Sequence, residues 1–198
     1  MITPDSIAVI VLAAGQSKRF GENNKLLECM GGRTLIEISV ASALQSKAGQ
    51  VIVVTGFEDA RIRTALPGYD VTFVDNERYR DGISSSISCG VAAVPEQVRG
   101  AVIMLADMTG IRADHLDRMI DAFINGDGQQ IVLPVFKGQR GNPVLWPRSQ
   151  FQALMDLHGD MGGRALLQGL ESSQLCRVEM SDDAIFFDVD KTGDLNPS

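Results

Sequence analysis

The sequence lacks any apolar run that approaches the roughly 20 residues a membrane-spanning helix needs, so no membrane partner is expected. Its first residues, MITPDS, lack the basic start and apolar centre of a secretory leader. Cysteine is scarce: Cys29, Cys89 and Cys176 are odd in number, lie far apart and form neither a CxxC nor a zinc spacing. These absences suit reduced thiols in a cytoplasmic setting. Histidine is scarcer still. His115 and His158 stand alone, so each is expected at the surface or as a helix cap rather than as a metal ligand. Positive charge is outnumbered, with 18 Lys and Arg against 25 Asp and Glu and a net charge of −7. That balance excludes a general nucleic-acid surface but leaves room for a local cationic pocket. There is no internal repeat, no low-complexity run and no linker rich in Pro, Ser and Gly, so residues 1–198 are expected to form a single domain. Neither GxxxxGK[ST] nor GxGxxG occurs.

What is present is an alternation of short apolar runs with amphipathic stretches. Ile7–Leu12, Val51–Thr55, Val71–Val74 and the continuous run Ala101–Ala106 read as strands. Thr34 followed by Glu37 is a capping-box pattern, opening a helix with apolar positions from Leu35 to Leu44. Glu58–Leu66, Ile83–Val94, Ala113–Ile124, Arg148–Leu157 and Gly163–Leu170 read as further helices. Ile131–Val135 and Pro143–Trp146 flank the polar turn KGQRGN, as a hairpin or as two strands around a functional loop. Cys176–Met180 and Ala184–Asp188 read as closing strands. The alternation predicts an α/β fold: a Rossmann-like, mostly parallel sheet with helices on both faces and its ligand at the carboxyl ends of the strands.

Polar residues interrupt the pattern at those strand ends. After Ile7–Leu12 come the small residues Ala13, Ala14 and Gly15, then Ser17, Lys18, Arg19 and, further on, Lys25. Small side chains let backbone N–H groups reach phosphate oxygens, and the cations add charge-assisted hydrogen bonds, so the stretch suits a polyphosphate. The plainer alternative is a strand-to-helix turn with surface cations. Asp107 stands at the tip of Ala101–Ala106, where a carboxylate can hold a Mg²⁺ bridging phosphate oxygens; Asp114 is better placed to cap the following helix. In NERYRDGISSSISCG, Gly82 permits an unusual backbone angle and Ser84, Ser85 and Ser86 open a helix. Asp188 and Asp190, alternating on a strand, would point to opposite faces, so at most one reaches the metal; Asp188 is favoured and Asp190 is the alternative.

LAAGQSKRFGENNKLL resembles the LAAGxSxRFGxxK(L/A)L signature of molybdopterin-type nucleotidyltransferases, and its double alanine is similar to the molybdenum cofactor cytidylyltransferases rather than to guanylyltransferases with LAGG. Four further motifs follow in the family's order up to Leu195: the stretch Asn76 to Ser86, the strand ending in Asp107, RGNPVLW with HGDMGGRALL, and FFDVDKTGDL. Two departures stand out. Met108-Thr109 replaces the usual D-x-P continuation, and Lys191-Thr192-Gly193 replaces Thr-Pro-Glu.

The resemblance implies a nucleotide-diphospho-sugar transferase type of fold and transfer of CMP from CTP to a molybdopterin-type cofactor with release of pyrophosphate. It implies Arg19, Lys25 and Asp107 as catalytic residues. Leu12, Ala13, Ala14, Gly15, Lys25, Asn76, Gly82, Ser85, Ser86 and Asp107 would bind the nucleotide. Arg140, Asn142, Gly162 and Arg164 would bind the acceptor, and Asp107 and Asp188 would hold Mg²⁺. A client molybdenum hydroxylase is the implied protein partner. The alternatives are a guanylyl- or sugar-phosphate nucleotidyltransferase of the same fold, and a non-catalytic cofactor-binding chaperone for such a hydroxylase.

Overall fold

The computed structural model describes residues 2–16 and 24–189. Its centre is β1 (Ile7–Leu12), every residue of which is buried. Side chains alternate across a strand, so Ile7, Val9 and Val11 pack into one core and Ala8, Ile10 and Leu12 into another. That two-sided burial is why the run is apolar without a break.

The chain continues through a short hairpin, β2 (Cys29–Met30) and β3 (Arg33–Thr34), into α1 (Leu35–Leu44). Thr34 and Glu37 form the expected capping box, with Thr34 N donating to Glu37 Oε2 at 2.7 Å. The backbone and hydroxyl bonds from Thr34 hold the Glu37 carboxyl below its ordinary pKa. This stabilisation is therefore present above the usual carboxylate range and is lost as pH falls through the lowered pKa. The chain then runs through β4 (Gln50–Thr55), α2 (Asp59–Thr64), β5 (Thr72–Asp75), α3 (Ile83–Ala92) and β6 (Gly100–Leu105). It ends with α4 (Ala113–Asn125), β7 (Ile131–Phe136), β8 (Gln139–Arg140), β9 (Val144–Pro147), α5 (Phe151–Met155) and β10 (Leu175–Glu179).

The main sheet has eight strands in the order β10-β7-β9-β6-β1-β4-β5, with β8 paired to β7. β1 lies parallel to both β4 and β6, and β10 parallel to β7; β9 runs antiparallel between β6 and β7. The α1 and α4 side chains Ile36, Val40, Met119 and Phe123 cover one face. Ile87 and Val91 of α3, with Phe151 and Leu154 of α5, cover the other. The mostly parallel sheet with helices on both faces is the expected architecture. From β1 the chain first builds outward to β4 and β5, then returns to place β6 on the other side. The reversal opens a crevice at the carboxyl ends of β1 and β6, where such sheets bind ligands.

Four expectations need correction. Ala184–Asp188 is not a strand: Ala184–Phe186 is a 3-10 turn, and Phe187 N bonds back to Ala184 O at 3.2 Å instead of joining a ladder. Arg148–Leu157 divides into a 3-10 turn, Arg148–Gln150, and α5. Gly163–Leu170 contains only a 3-10 turn, Gly163–Leu167, as suits a segment bracketed by Gly162 and Gly169. The cap of α4 is Arg112, not Asp114. Its backbone N–H donates to His115 Nδ1 at 3.2 Å, so His115 is a capping residue but a fully buried one. His158 is exposed. The three cysteines are free thiols, and burial pushes that of Cys89 up. Among the described residues no helix is long and apolar enough to cross a membrane.

Candidate functional site

Two cavities meet at the crevice. The first, about 460 Å³, is lined by Leu12, Ala14, Gly15 and Lys25 together with Gly82, Ser86 and Asp107. Chain neighbours apart, no described residue stands within 4 Å of where a Cβ at Gly15 would lie, and Gly15 itself lines the cavity. Ala13 stands behind this wall: its side chain belongs to the core and its N–H donates to Val54 O at 2.8 Å, which leaves it no phosphate to meet. Arg19 and Asp190 lie outside the described residues.

Asp107 follows β6 by two residues and lies within a hydrogen-bonded turn, Met108 N to Leu105 O, that fixes its backbone. Lys25 sits on a 3-10 turn, Lys25–Leu27, whose start is capped by Asn24. Its Nζ donates to Asp107 Oδ2 at 2.5 Å and to Val189 O at 3.0 Å. Both side chains are largely shielded, at 15% and 12% exposure, so the pair is stronger than a solvated surface ion pair. Asp107 Oδ1 is buried and has no hydrogen-bond partner among the described residues. A buried carboxylate oxygen in that state costs on the order of 1–3 kcal/mol unless something meets it. A hard divalent cation is such a partner, since Mg²⁺ takes one or two carboxylates and completes its shell with water and phosphate oxygens. Asp107 fits that group. Among the described residues no three His, Cys, Asp or Glu side chains converge, so the protein alone does not build a closed cage.

Asn76 and Ser85 also stand behind the first cavity. Asn76 is buried; its Nδ2 donates to Ser85 Oγ at 2.9 Å and Ser86 Oγ at 3.1 Å, while its Oδ1 accepts from Arg78 N. Asn76 thus aims Ser86 at the cavity, and both of its amide protons are taken by the two serine hydroxyls. Gly82 has φ +98° and ψ 177°, a conformation essentially confined to glycine. A Cβ there would collide with the Gly159 carbonyl. That carbonyl accepts from Ser84 Oγ at 2.7 Å, so the 158–162 loop is docked on the start of α3. Gly82→Ala should therefore lower the unfolding free energy by about 2 kcal/mol and weaken nucleotide binding with it. Urea denaturation and a thermal-shift titration with CTP check the two effects.

The second cavity, about 250 Å³, is lined by Arg140, Asn142, Arg164 and Asp188 over an apolar floor that includes Met108. Leu105 borders both cavities. Gly162 borders neither; it caps the following 3-10 turn. The structure thus places Asp107 in the first cavity and Asp188 in the second, with Val189 N donating to Asp107 O at 3.3 Å between them.

Sequence reasoning missed several lining residues. Tyr79, Arg80 and Asp160 face the first cavity, and Ile185 and Phe186 the second. Arg80 belongs to NERYRDGISSSISCG, a stretch whose glycine and serines carry the more specific signal. Asp160 lies within HGDMGGRALL, but only the docking of its loop on the start of α3 brings it to the first cavity.

The family model of the MobA-like NTP transferase domain matches residues 9–176. The purine catabolism protein PucB of Bacillus subtilis is 27% identical over 189 residues, covering 91% of this chain and 90% of PucB. The crystal structure of a homolog of Mycobacterium tuberculosis Rv0371c from Mycobacterium sp. strain JC1 superposes with a TM-score of 0.83 at 28% identity, covering 96% of this chain and 93% of that one. Rv0371c itself, solved in complex with manganese, gives a TM-score of 0.75 at 28% identity and covers 95% of each chain. With a nucleotidyltransferase-type sheet, a carboxylate at the crevice and a match over most of its length, this chain belongs to the MobA-like NTP transferase domain family.

Proposed function

We propose that this nucleotidyltransferase moves CMP from CTP to a molybdopterin-type cofactor, releasing pyrophosphate. The observation that carries the transfer step is the position of Asp107: a shielded carboxylate in the first cavity, beside Lys25, with one oxygen unpartnered among the described residues. In the proposed reaction an acceptor phosphate oxygen attacks the α-phosphorus of the nucleotide. A new P–O bond forms as the bond to the bridging oxygen breaks, and pyrophosphate carries away the electron pair. The attacking oxygen is already anionic, so no side-chain nucleophile or base is required.

Catalysis then rests on positioning and charge neutralisation. Lys25 and Arg19 offset charge on the phosphates, while Arg140 and Arg164 hold the acceptor phosphate. Asp107, with Asp188 from the neighbouring wall, would hold Mg²⁺. When bound, that cation would lower the charge on the α-phosphate and on the leaving pyrophosphate. The choice of CTP follows from the resemblance of Ala13-Ala14 to the cytidylyltransferase signature, and the choice of acceptor from the motifs around Arg140 and Arg164. A guanylyl- or sugar-phosphate transferase would use the same apparatus. A pure cofactor-binding chaperone for a molybdenum hydroxylase would have no use for the Lys25–Asp107 pair.

The test is pyrophosphate release with CTP, GTP, ATP and UTP, each with and without molybdenum cofactor and MgCl₂. Release with CTP should exceed that with the other three at least tenfold and should require the cofactor. Equal release with GTP would remove the CTP assignment. Cofactor binding without any pyrophosphate would favour the chaperone.

A further inference from the structure

The second cavity has a lining that a simple sugar phosphate does not need. Arg140 and Arg164 bring two guanidinium groups, both exposed, and neither makes an ion pair with a described residue. The same cavity has apolar lining: Met108 is buried, Ile185 is pinned by Asn142 N donating to its carbonyl at 3.0 Å, and Phe186 stands 42% exposed. Among the described residues the large apolar side chains left open are Phe186, its neighbour Phe187 at 39% and Met161 at 50%; of these, Phe186 lines the second cavity, so its exposed ring is available to a ligand there. The 3-10 turn Ala184–Phe186 puts the ring there, and the turn is held in place. Gly141 packs so closely on Ile185 that a Cβ at 141 would lie 2.5 Å from the Ile185 carbonyl oxygen. The backbone that carries the ring is therefore held against the cavity wall.

We propose that Phe186 is a specificity-determining residue that stacks on the ring system of the acceptor. The cavity would then select a flat heteroaromatic group carrying a phosphate over a sugar phosphate. Two cations and an aromatic side chain lining one cavity match an anion joined to a planar ring. A pyranose would instead ask for several hydrogen-bonding partners for its hydroxyls, and the named polar side chains of the wall other than the arginines are Asn142 and Asp188. The proposal rests on the assignment of the second cavity to the acceptor.

The test uses 6-hydroxymethylpterin monophosphate and glucose 1-phosphate as probes, titrated into the full chain with MgCl₂ and CTP. Phe186→Leu keeps apolar area but removes the ring face, Phe186→Trp keeps a ring face, and Arg164→Gln weakens the phosphate contact. Wild-type protein should bind the pterin phosphate more tightly than the sugar phosphate. Phe186→Leu should weaken the pterin phosphate about tenfold, leave glucose 1-phosphate within twofold, and leave the CTP-induced thermal shift unchanged. Phe186→Trp should restore pterin binding. If Arg164→Gln weakens the pterin phosphate but Phe186→Leu does not, stacking is overturned while the acceptor assignment stands. If wild type binds neither probe, or Arg164→Gln and Phe186→Leu both leave pterin binding unchanged, the acceptor assignment and the proposal fail together.

Discussion

Replacing Asp107 by Asn should reduce metal-dependent pyrophosphate release by about a thousandfold or more while the protein stays folded. The substitution keeps the shape of the side chain and removes its charge. In the native site Oδ2 carries the bond from Lys25, and Oδ1 is buried without a described partner. An amide offers one neutral oxygen where a carboxylate offers two anionic ones, so the variant is a far poorer ligand for a hard cation. The fold has little to lose. Asp107 lies in a turn fixed by backbone bonds, and the half-shell of β6 behind it is apolar and unchanged. Loss of the ion pair should cost the melting temperature only a few degrees. The measurement is steady-state pyrophosphate release across a MgCl₂ titration, with circular dichroism as the control for folding. A variant with the native rate and the native metal response would remove Asp107 from the site.

The sheet was legible because burial leaves a mark on composition. β1 and β6 are covered on both faces, so Ile7–Leu12 and Gly100–Leu105 read as unbroken apolar runs. Thr34 and Glu37 announced α1 because a capping box is a local device, complete within four residues. The segment 184–188 departs from expectation because its local content, AIFFD, favours a strand, whereas the conformation here is set by partners far away in sequence. Asn142 bonds Ile185, and Asp107 bonds Val189, one contact at a time and without a ladder.

The same limit applies within the site. Residue type and strand-end position were enough to single out Lys25, Asp107, Gly82 and Ser86, which all line the first cavity. They were not enough to separate residues that line a wall from residues that hold it up. Ala13, Asn76 and Ser85 carry the right chemistry but direct it inward, to Val54, to the two serine hydroxyls and to the Gly82 carbonyl. Hydrogen-bonding capacity already in use cannot be read from a motif. Asp160 and Phe186 were missed for the converse reason, since each reaches its cavity only because a loop is docked against another element.

Replacing Lys25 by Met should lower turnover by about a hundredfold to a thousandfold, yet it should not weaken binding of the metal itself. The two halves of that expectation follow from one geometry. In the resting site the ammonium neutralises Asp107 and also holds the Val189 carbonyl, so it links the floor of the first cavity to the segment bearing Asp188 and Phe186. An incoming triphosphate competes for the same ammonium with several negative charges, and the charge that Lys25 then offsets grows as pyrophosphate departs. Methionine keeps most of the side chain's length and apolar bulk but has no charge to give, so the loss should fall on kcat rather than on folding. Without the ammonium, the Asp107 carboxylate loses its competitor for a cation, and Mn²⁺ titrated by electron paramagnetic resonance should bind at least as tightly as to the native protein. Asp107→Asn should do the reverse and lose the metal along with the rate. The opposed responses of the two variants separate a ligand from a charge-neutralising catalyst, and near-native turnover in Lys25→Met would exclude Lys25 from the chemistry.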